Sequence, residues 1–506
     1  MDETNRLNFH LPNLSDATTV GRIVYAPVLS PVASCSAETD DARCSGATYV
    51  QYSNDEITPS KPVGGETPTS NSSSDGDLAK PDNNIDQPHR PTTLAQPNPS
   101  SQFPDGGLDA WLVTLGCWCV FFISWGPIYT LGIFQAYYHH TLLLGSPSSS
   151  PSALACIAST ALFTMYAGGL LFGKLFDRHG PRWLLLVGAA LHVYGWMMAS
   201  FATRYYHLFL SQAVCSPLGA SCMYYACAGC ITTWFWRRRA TAFGIAATGA
   251  PVGGVVMAGL FVGLVPRVGY PWTMRIIGFL MLGVVVLVNL TVKSRVEHSP
   301  RPFRAGEYLE PFRDPAFCLV AGGMAVFVVG LFLPLSFLVL QARSRGLSIA
   351  LSQYLVLIMN AAGIPGRILA TYLAPKLGTF NLTVLTTLLC SLVTLTLWLP
   401  RTNHPHTTSI VFAILYGFSA SAYVALAPML VAQISSIRQM GVRSGVLFFV
   451  VGVAALIGVP VGGRLLERGE DGWMVMQAFA GGCMGVAAGV LVVAREVALG
   501  GRVRRV

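Results

Sequence analysis

Twelve apolar runs, each about 20 residues or longer, fill the chain between residues 112 and 494. A helix rises about 1.5 Å per residue, so roughly 20 apolar residues are needed to cross a hydrocarbon layer about 30 Å thick. The sequence therefore predicts an all-α membrane protein with twelve transmembrane helices. The predicted helices cover residues 112–134, 153–173, 183–201, 207–233, 240–264, 272–292, 316–340, 351–373, 380–399, 409–433, 442–463 and 473–494.

A charged segment divides these runs into two sets of six. We expect each set to form one six-helix bundle. The predicted order along the chain is a disordered cytosolic tail, a first bundle, a cytosolic linker, a second bundle and a basic cytosolic C-terminus. These parts cover residues 1–104, 105–293, 294–315, 316–495 and 496–506.

Composition and charge agree with a membrane protein. Only 11% of the residues are charged, against about a quarter in ordinary soluble domains. Residues 1–104 carry a net charge of −7 and the remainder +16. With both chain ends placed inside, the cytosolic segments of the membrane part hold more than twice as many Lys and Arg residues as the opposite loops. The positive-inside rule therefore predicts cytosolic termini and explains the basic balance, so we expect no nucleic-acid partner.

The first hundred residues are rich in Ser, Thr, Pro, Asp and Asn and show no sustained apolar period. Such a segment cannot bury enough apolar surface to fold alone, so we expect a solvated cytosolic tail. A phosphorylated regulatory arm is the alternative, for which the sequence offers only its many Ser and Thr residues. The segment has no basic start followed by an apolar core, so we do not interpret it as a secretory signal peptide.

The most specific local pattern is the stretch GKLFDRHGPRW between the second and third runs, from Gly173 to Trp183. One glycine closes a helix, an acid and several bases occupy a very short turn, and a second glycine permits the reversal. The acid can face the positive N-terminal end of a neighbouring helix, and the arginines can bind carbonyls or acids. The turn therefore predicts a lock between helices that a sliding motion can break.

This turn resembles the loop motif G-x-L-x-D-R-x-G-x-R of the major facilitator superfamily. The matching residues are Gly173, Leu175, Asp177, Arg178, Gly180 and Arg182. The resemblance implies the fold of that family, in which two six-helix bundles rock about a site near the middle of the membrane. It also implies that the acid, the two arginines and the two glycines form a conformational lock.

Two further stretches resemble the monocarboxylate-porter branch of that superfamily, in particular its fungal members. They are DGGLDAW at residues 105–111 and WFWRRRATAFGIAATG at residues 234–249, where Trp234, Thr241 and Thr248 depart from the usual choices. The resemblance covers about residues 104–495 and leaves the tail unexplained. It implies a transporter of a small organic solute.

Ionisable groups inside a membrane are costly and are therefore candidate functional residues. The predicted helices hold three: His192, Arg275 and Arg367. A fixed cation in a cavity of low dielectric constant would attract a carboxylate, and the porter branch has a substrate-binding arginine at the place of Arg367. Arg275 can instead be a side chain that reaches the membrane interface. His192 can be a packed, hydrogen-bonded residue or a proton shuttle.

This chain departs from the animal monocarboxylate porters at two positions, and these departures limit the class of substrate that we expect. Those proteins carry a lysine midway along the first helix and an acid before the eighth-helix arginine, where this chain has Tyr129 and Gly363. No carboxylate lies in a predicted helix, so a co-transported proton would travel on the substrate or through His192. The neutral aromatic residues suit a larger, partly apolar molecule. The predicted substrate-binding residues are therefore Arg367, Arg275, His192 and Tyr129.

The sequence lacks the residues that other functional classes require. We find no phosphate-binding loop, no metal-ligand cluster and no nucleophile beside a recognisable base, so we expect no enzyme activity, no cofactor and no metal. Cys227 and Cys230 form a C-x-x-C. On a membrane helix, however, that spacing places two small residues on one face and favours close packing.

The sequence thus predicts a secondary active or facilitative transporter that carries a monocarboxylate or related organic anion by alternating access. Export of a hydrophobic secondary metabolite or drug is one alternative, and a non-transporting receptor on the same scaffold is another. The expected partners are a small-molecule substrate and the lipid bilayer, with a co-transported proton left open. We expect a monomer and take the plasma membrane as the default location.

Overall fold

The computed structural model describes residues 104–146, 149–236, 238–295, 306–400, 403–435, 439–469 and 471–500. These residues are mostly helical, and no strand occurs among them. The prediction of an all-α protein is confirmed. The predicted tail, apart from Pro104, lies outside the described residues, as do residues 501–506 of the predicted C-terminus and residues 296–305 of the predicted linker.

Within the described ranges, twelve long helices, α1–α12, follow one another at the predicted positions. Their bounds are Leu108–Leu142, Pro151–His179, Pro181–Ala199, Tyr205–Trp234, 239–268, 270–291, Pro315–Ser344, Ile349–Leu377, Thr379–Trp398, Pro405–Gln433, Met440–Leu466 and Gly472–Leu499. α1 contains a short 3-10 turn at Ile128–Thr130 and ends in a π turn at Tyr138–Leu142. α12 continues beyond the predicted end at residue 494, because Ala, Arg, Glu and Leu in that stretch favour helix.

α5 and α6 come from one helical stretch that reverses at Gly269. The helix Gly249–Thr291 has 43 residues, which is about 65 Å of straight helix and too long for one crossing. Both of its ends nevertheless pack on the same part of α1. Gly249 lies against the carbonyl of Trp118, and Thr291 lies against Gly116. The chain therefore turns back at Gly269, whose φ of 76° is a conformation that favours glycine.

Ten helices among the described residues are long and apolar enough to cross a membrane. One of them, Arg239–Thr291, supplies both α5 and α6. α3 is the remaining helix of the twelve and is not one of these ten. His192, Tyr194 and two glycines lower its hydropathy. The turn before α3 is made by Gly180 with a φ of 74°, as the sequence predicts.

Helices α1–α6 and α7–α12 form two bundles that meet along one interface. α2 packs along α11, α5 along α8, and the second half of α1 along α7. Small residues permit this close approach. Gly132 sits against the carbonyl of Leu335, and Gly463 sits against Pro151. The predicted two-bundle fold is confirmed.

The two ends of the molecule differ in charge. The turns after α2, α4 and α6 lie at one end, which carries Lys174, Arg178, Arg182, Arg239 and Lys293 and is called here the basic end. The opposite end, with the turns after α1, α3 and α5, is called the far end.

A hydrogen-bonded contact joins the bundles at the far end. The carboxylate of Glu467, just after α11, accepts from the backbone N–H of Ser152 at 3.2 Å and from its hydroxyl at 2.6 Å. Ser152 lies at the start of α2, where the partial positive charge of the helix favours an acid. Arg464 binds the other carboxylate oxygen at 2.8 Å. Burial raises the pKa of Glu467, but these hydrogen bonds lower it more, so the net shift is downward.

We expect removal of the Glu467 charge to loosen the far end. Because the pKa of this carboxyl is lowered in the folded protein, its contribution is present at neutral pH and is lost as the pH falls through the folded pKa. Glu467→Gln should imitate acid at neutral pH. A membrane-impermeant maleimide should label a cysteine introduced for Leu335 about fivefold faster in this variant, which corresponds to about 1 kcal/mol for one hydrogen bond.

Arg468→Gln is the matched control, because Arg468 lies exposed in the same turn. It should leave the labelling rate unchanged. An equal acceleration in both variants would show that the turn as a whole, and not the Glu467 contact, controls access.

Candidate functional site

A cavity of about 760 Å³ lies between the bundles at the basic end. Its mouth carries polar residues from both bundles, among them Asp177, Arg239 and Arg443. Its inner end is aromatic and includes Tyr224 and Phe448. A volume of this size is typical of sites that bind drug-sized organic molecules.

Arg367 lies deeper, at the interface of the two bundles, and is fully buried on α8. Its Nε donates to the Ser421 carbonyl of α10 at 3.2 Å. Its Nη1 donates to the Ala247 carbonyl of α5 at 2.5 Å, and its Nη2 to the Tyr129 hydroxyl of α1 at 3.0 Å. A second cavity of about 40 Å³ adjoins it. One guanidinium therefore binds both bundles.

The local sequence explains why the Ala247 carbonyl is available. In a continuous helix this carbonyl would accept from the N–H of residue 251, but that residue is Pro251, which has no N–H. α5 is interrupted at this point: its first segment, Arg239–Ala247, ends here, and its second segment begins at Gly249. The freed carbonyl accepts from Arg367.

The charge of Arg367 has only neutral partners. In the part of the chain that the structure describes, no carboxylate lies at ion-pair distance from it. Its three hydrogen bonds also leave part of the donor capacity of a guanidinium unused. A buried cation that faces only neutral dipoles is costly. An anion that reached it would supply the missing charge, so the arrangement is suited to bind an acid.

Tyr129 is the predicted site residue that the structure brings together with Arg367. Besides accepting a hydrogen bond, its ring lies 5.9 Å from the guanidinium carbon. Asn360, Ser421 and Tyr423 also line the small cavity and are not among the predicted site residues. For Asn360 a signal exists, because it lies two helical turns before Arg367 and therefore on the same face of α8.

His192 lies away from Arg367, buried inside the first bundle. Its Nε2 is 3.1 Å from the Ile123 carbonyl, and its Nδ1 is 3.0 Å from both the carbonyl and the hydroxyl of Ser216. Proline again frees a carbonyl, since Pro127 follows Ile123 by one helical turn. These contacts fit a packed, hydrogen-bonded residue. A role in substrate or proton transfer stays a prediction.

Arg275 also lies away from Arg367. It lies in the first part of α6, at the far end of the molecule. Its guanidinium carbon is 4.8 Å from the Phe201 ring centroid and 5.0 Å from that of Trp272. Its Nε donates to the Ser200 hydroxyl at 3.3 Å. This aromatic setting fits a side chain at the membrane interface, and a binding role for Arg275 stays a prediction.

The predicted lock residues lie at the basic end. Gly173 and Asp177 line the large cavity, and Gly180 makes the turn that follows. Arg178 and Arg182 are exposed, and among the described residues neither forms an ion pair with an acid. The role of these residues as a conformational lock stays a prediction.

The described second part of the linker, residues 306–314, lies at the mouth of the large cavity. Glu307 pairs with Lys174 of α2 at 2.9 Å, and Asp314 pairs with Arg443 of α11 at 2.7 Å. The linker thus contacts both bundles with acidic side chains. It can hold their basic ends at a fixed spacing while the cavity remains between them.

Comparison with known proteins gives a consistent result. A sequence profile of the Major Facilitator Superfamily matches residues 113–459. MFS-type transporter 1 of Ophiocordyceps sp. is 43% identical over 401 residues, which cover 79% of this chain and 88% of that protein. The fujikurins efflux protein of Gibberella fujikuroi is 40% identical over 379 residues, which cover 75% and 80%.

A solved structure supports the same fold. The crystal structure of a nucleoside transporter superposes with a TM-score of 0.59 at 14% identity, covering 76% of this chain and 99% of that chain. At this identity the similarity speaks for the fold alone. The family resemblance of the loop motif is confirmed by the profile match over residues 113–459 and by the relatives in sequence.

We expect the charge of Arg367 to cost stability. A buried charge without an opposite charge beside it lowers stability even when its N–H groups are hydrogen-bonded, and an apolar side chain of similar volume removes this cost. Arg367→Met should therefore keep or raise the melting temperature of the purified protein. Arg443→Met is the control, because it leaves Asp314 without its partner and should lower that temperature. A greater loss of stability in Arg367→Met than in Arg443→Met would contradict this account.

Proposed function

The chain belongs to the major facilitator superfamily, and from this premise we propose that it exports an amphipathic organic acid by alternating access. Family membership makes the chain a multi-pass membrane transporter and not an enzyme. The proposal adds the chemical class of the substrate and the direction of transport.

The observation that carries the proposal is the buried charge of Arg367, which has neutral partners only. A negatively charged group on the substrate would complete this site. The larger cavity at the basic end, about 760 Å³, has room for much more than a small monocarboxylate. Arg367 does not line it, but its inner residue Tyr224 is linked to Arg367 through the rings of Trp125 and Tyr129. Together these features support an acid of metabolite size with a substantial apolar part.

Two observations support export. The cavity lies at the basic end, which the positive-inside rule assigns to the cytosol, so a substrate would load from that side. In addition, a relative at 40% identity is named an efflux protein. We propose that both termini are cytosolic and that the protein works in the plasma membrane as a monomer.

The proposed cycle alternates between two sets of contacts. In the described conformation Glu467 joins the bundles at the far end, and the cavity lies at the basic end. In the opposite conformation the far-end contact would break, and Asp177, Arg178 and Arg182 would engage the neighbouring bundle and hold the basic end closed. Arg367 lies between these two ends and would exchange its bonds across the interface for bonds to the acid.

Transport of a matched pair of probes tests the proposal. Proteoliposomes should exchange labelled naphthoate in counterflow above the rate of empty liposomes, and should not exchange the neutral analogue naphthalenemethanol. Arg367→Gln should lower the naphthoate rate at least about tenfold, because a hydrogen bond to a charged group contributes about 1.5–3 kcal/mol.

Arg267→Gln is the control, because Arg267 is exposed at the end of α5. Its naphthoate exchange should equal that of the natural chain. Exchange of the neutral analogue that survives Arg367→Gln would favour the export of uncharged hydrophobic metabolites, and the absence of all exchange would favour a receptor on this scaffold.

A further inference from the structure

Three buried polar atoms without ordinary hydrogen-bond partners lie near Arg367, in side chains linked to it through the ring of Tyr129 or through the small cavity. They are Trp125 Nε1, Tyr166 Oη and Tyr423 Oη, and among the described residues none of the three has a partner that meets the usual hydrogen-bond length and angle. Each side chain is at most 3% exposed. Buried polar atoms in proteins are normally paired, so three exceptions in one place require an explanation.

The three side chains belong to one cluster. The ring of Trp125 lies 5.3 Å from that of Tyr166 and 6.2 Å from that of Tyr129, which binds Arg367. Tyr423 lines the small cavity beside Arg367. The hydroxyls of Tyr166 and Tyr423 face each other, and neither has a partner at ordinary hydrogen-bond length and angle. A weak hydrogen bond between them would use only one of their two protons, so one O–H donor of the pair stays available. The cluster draws on α1 and α2 from one bundle and on α10 from the other.

Neighbouring tyrosines show that this chain satisfies buried hydroxyls elsewhere. Tyr138 donates to the Gln212 side chain at 2.9 Å, and Tyr416 donates to the Leu331 carbonyl at 2.7 Å. Leaving a buried polar group unpaired costs free energy that replacement by an apolar side chain would recover. Five other buried polar atoms among the described residues also lack a partner, but the three near Arg367 belong to one aromatic cluster next to a buried cation. That combination points to a partner from outside the chain.

We propose that Trp125, Tyr166 and Tyr423 determine substrate specificity by binding oxygen atoms on the ring system of the acid that Arg367 holds. This inference rests on the proposed function and names the substrate class more closely. An indole N–H only donates, so the substrate must offer an acceptor, and a tyrosine hydroxyl can donate or accept. The aromatic faces around the site would stack on a planar group. The substrate is therefore a planar, unsaturated acid with at least one further hydroxyl or carbonyl oxygen.

Binding of hydroxynaphthoate isomers and of plain naphthoate to the purified full chain, measured by calorimetry, tests the inference. The natural chain should bind the best hydroxynaphthoate isomer about fivefold more tightly than naphthoate, as expected for one net hydrogen bond. The triple variant Trp125→Phe, Tyr166→Phe, Tyr423→Phe should lose this preference, so that the ratio of its two affinities falls to about one. No preference in the natural chain, as expected if a trapped water alone satisfies the cluster, would overturn the inference, and so would a preference that the triple variant retains.

Trp196→Phe is the matched control. Trp196 Nε1 is also buried without a partner among the described residues, but its ring packs on Phe134 in the first bundle, 5.8 Å away. This variant should keep the preference for the hydroxylated acid. Loss of the preference in Trp196→Phe would show that it does not arise at the Arg367 site.

Melting temperatures without ligand separate a binding role from a structural one. Tyr423→Phe removes an unpaired hydroxyl and should leave the melting temperature unchanged or raised, whereas Tyr416→Phe loses a hydrogen bond and should lower it. Equal losses in the two variants would mean that Tyr423 has a structural partner, which would overturn its assignment.

The two proposals can fail separately. Arg367→Gln should weaken binding of both acids by the same factor and leave the preference intact. If it changes neither affinity, the proposed function fails, whatever the result for the three aromatic residues. If it weakens both acids but the natural chain shows no preference, only the specificity inference fails.

Discussion

The hydrogen bonds of Arg367 join the two bundles at their interface, and this conformation depends on them. They join α8 to α1 and α5 across the bundle interface and to α10 within the second bundle. Because all the partners are neutral, they hold the cation in place without neutralising it. An acid that bound the guanidinium would compete for the same N–H groups. Each bond given to the acid would be removed from the interface, so the substrate would bind the two conformations with different affinity, which a transport cycle requires.

Prolines leave backbone carbonyl groups free to contact the buried ionisable side chains. A helix in a membrane must satisfy every carbonyl, and a proline one turn later leaves one without its N–H donor. The carbonyl freed by Pro251 accepts from Arg367, and the carbonyl freed by Pro127 faces His192. The kink, the polar partner and the buried group therefore form one unit. This explains how a chain with few ionisable side chains in its membrane helices can hold a charge at a defined position.

The sequence predicts the helices well, because the length of an apolar run is fixed by the bilayer and the turns depend on single glycines such as Gly180. It predicts the site only in part. Arg367 and Tyr129 meet, but His192 and Arg275 lie elsewhere, because helix rotation and the pairing of the bundles decide which polar residues come together. Tyr423 could not be recognised from its own run, where a tyrosine among apolar residues resembles a packing residue. The position of Asn360 relative to Arg367 was a readable signal.

The charge at the basic end gives a physical reason for the acids found there. Closing the cavity would bring Lys174 and Arg239 of the first bundle towards Arg443 of the second, and like charges that approach each other in a region of low dielectric constant repel strongly. The acids of the linker already offset two of these cations. Asp177, at the mouth, is placed to reduce the repulsion further as the bundles approach. The positive-inside rule explains why the cations are present, and the need to close a cationic mouth explains why an acid stands among them.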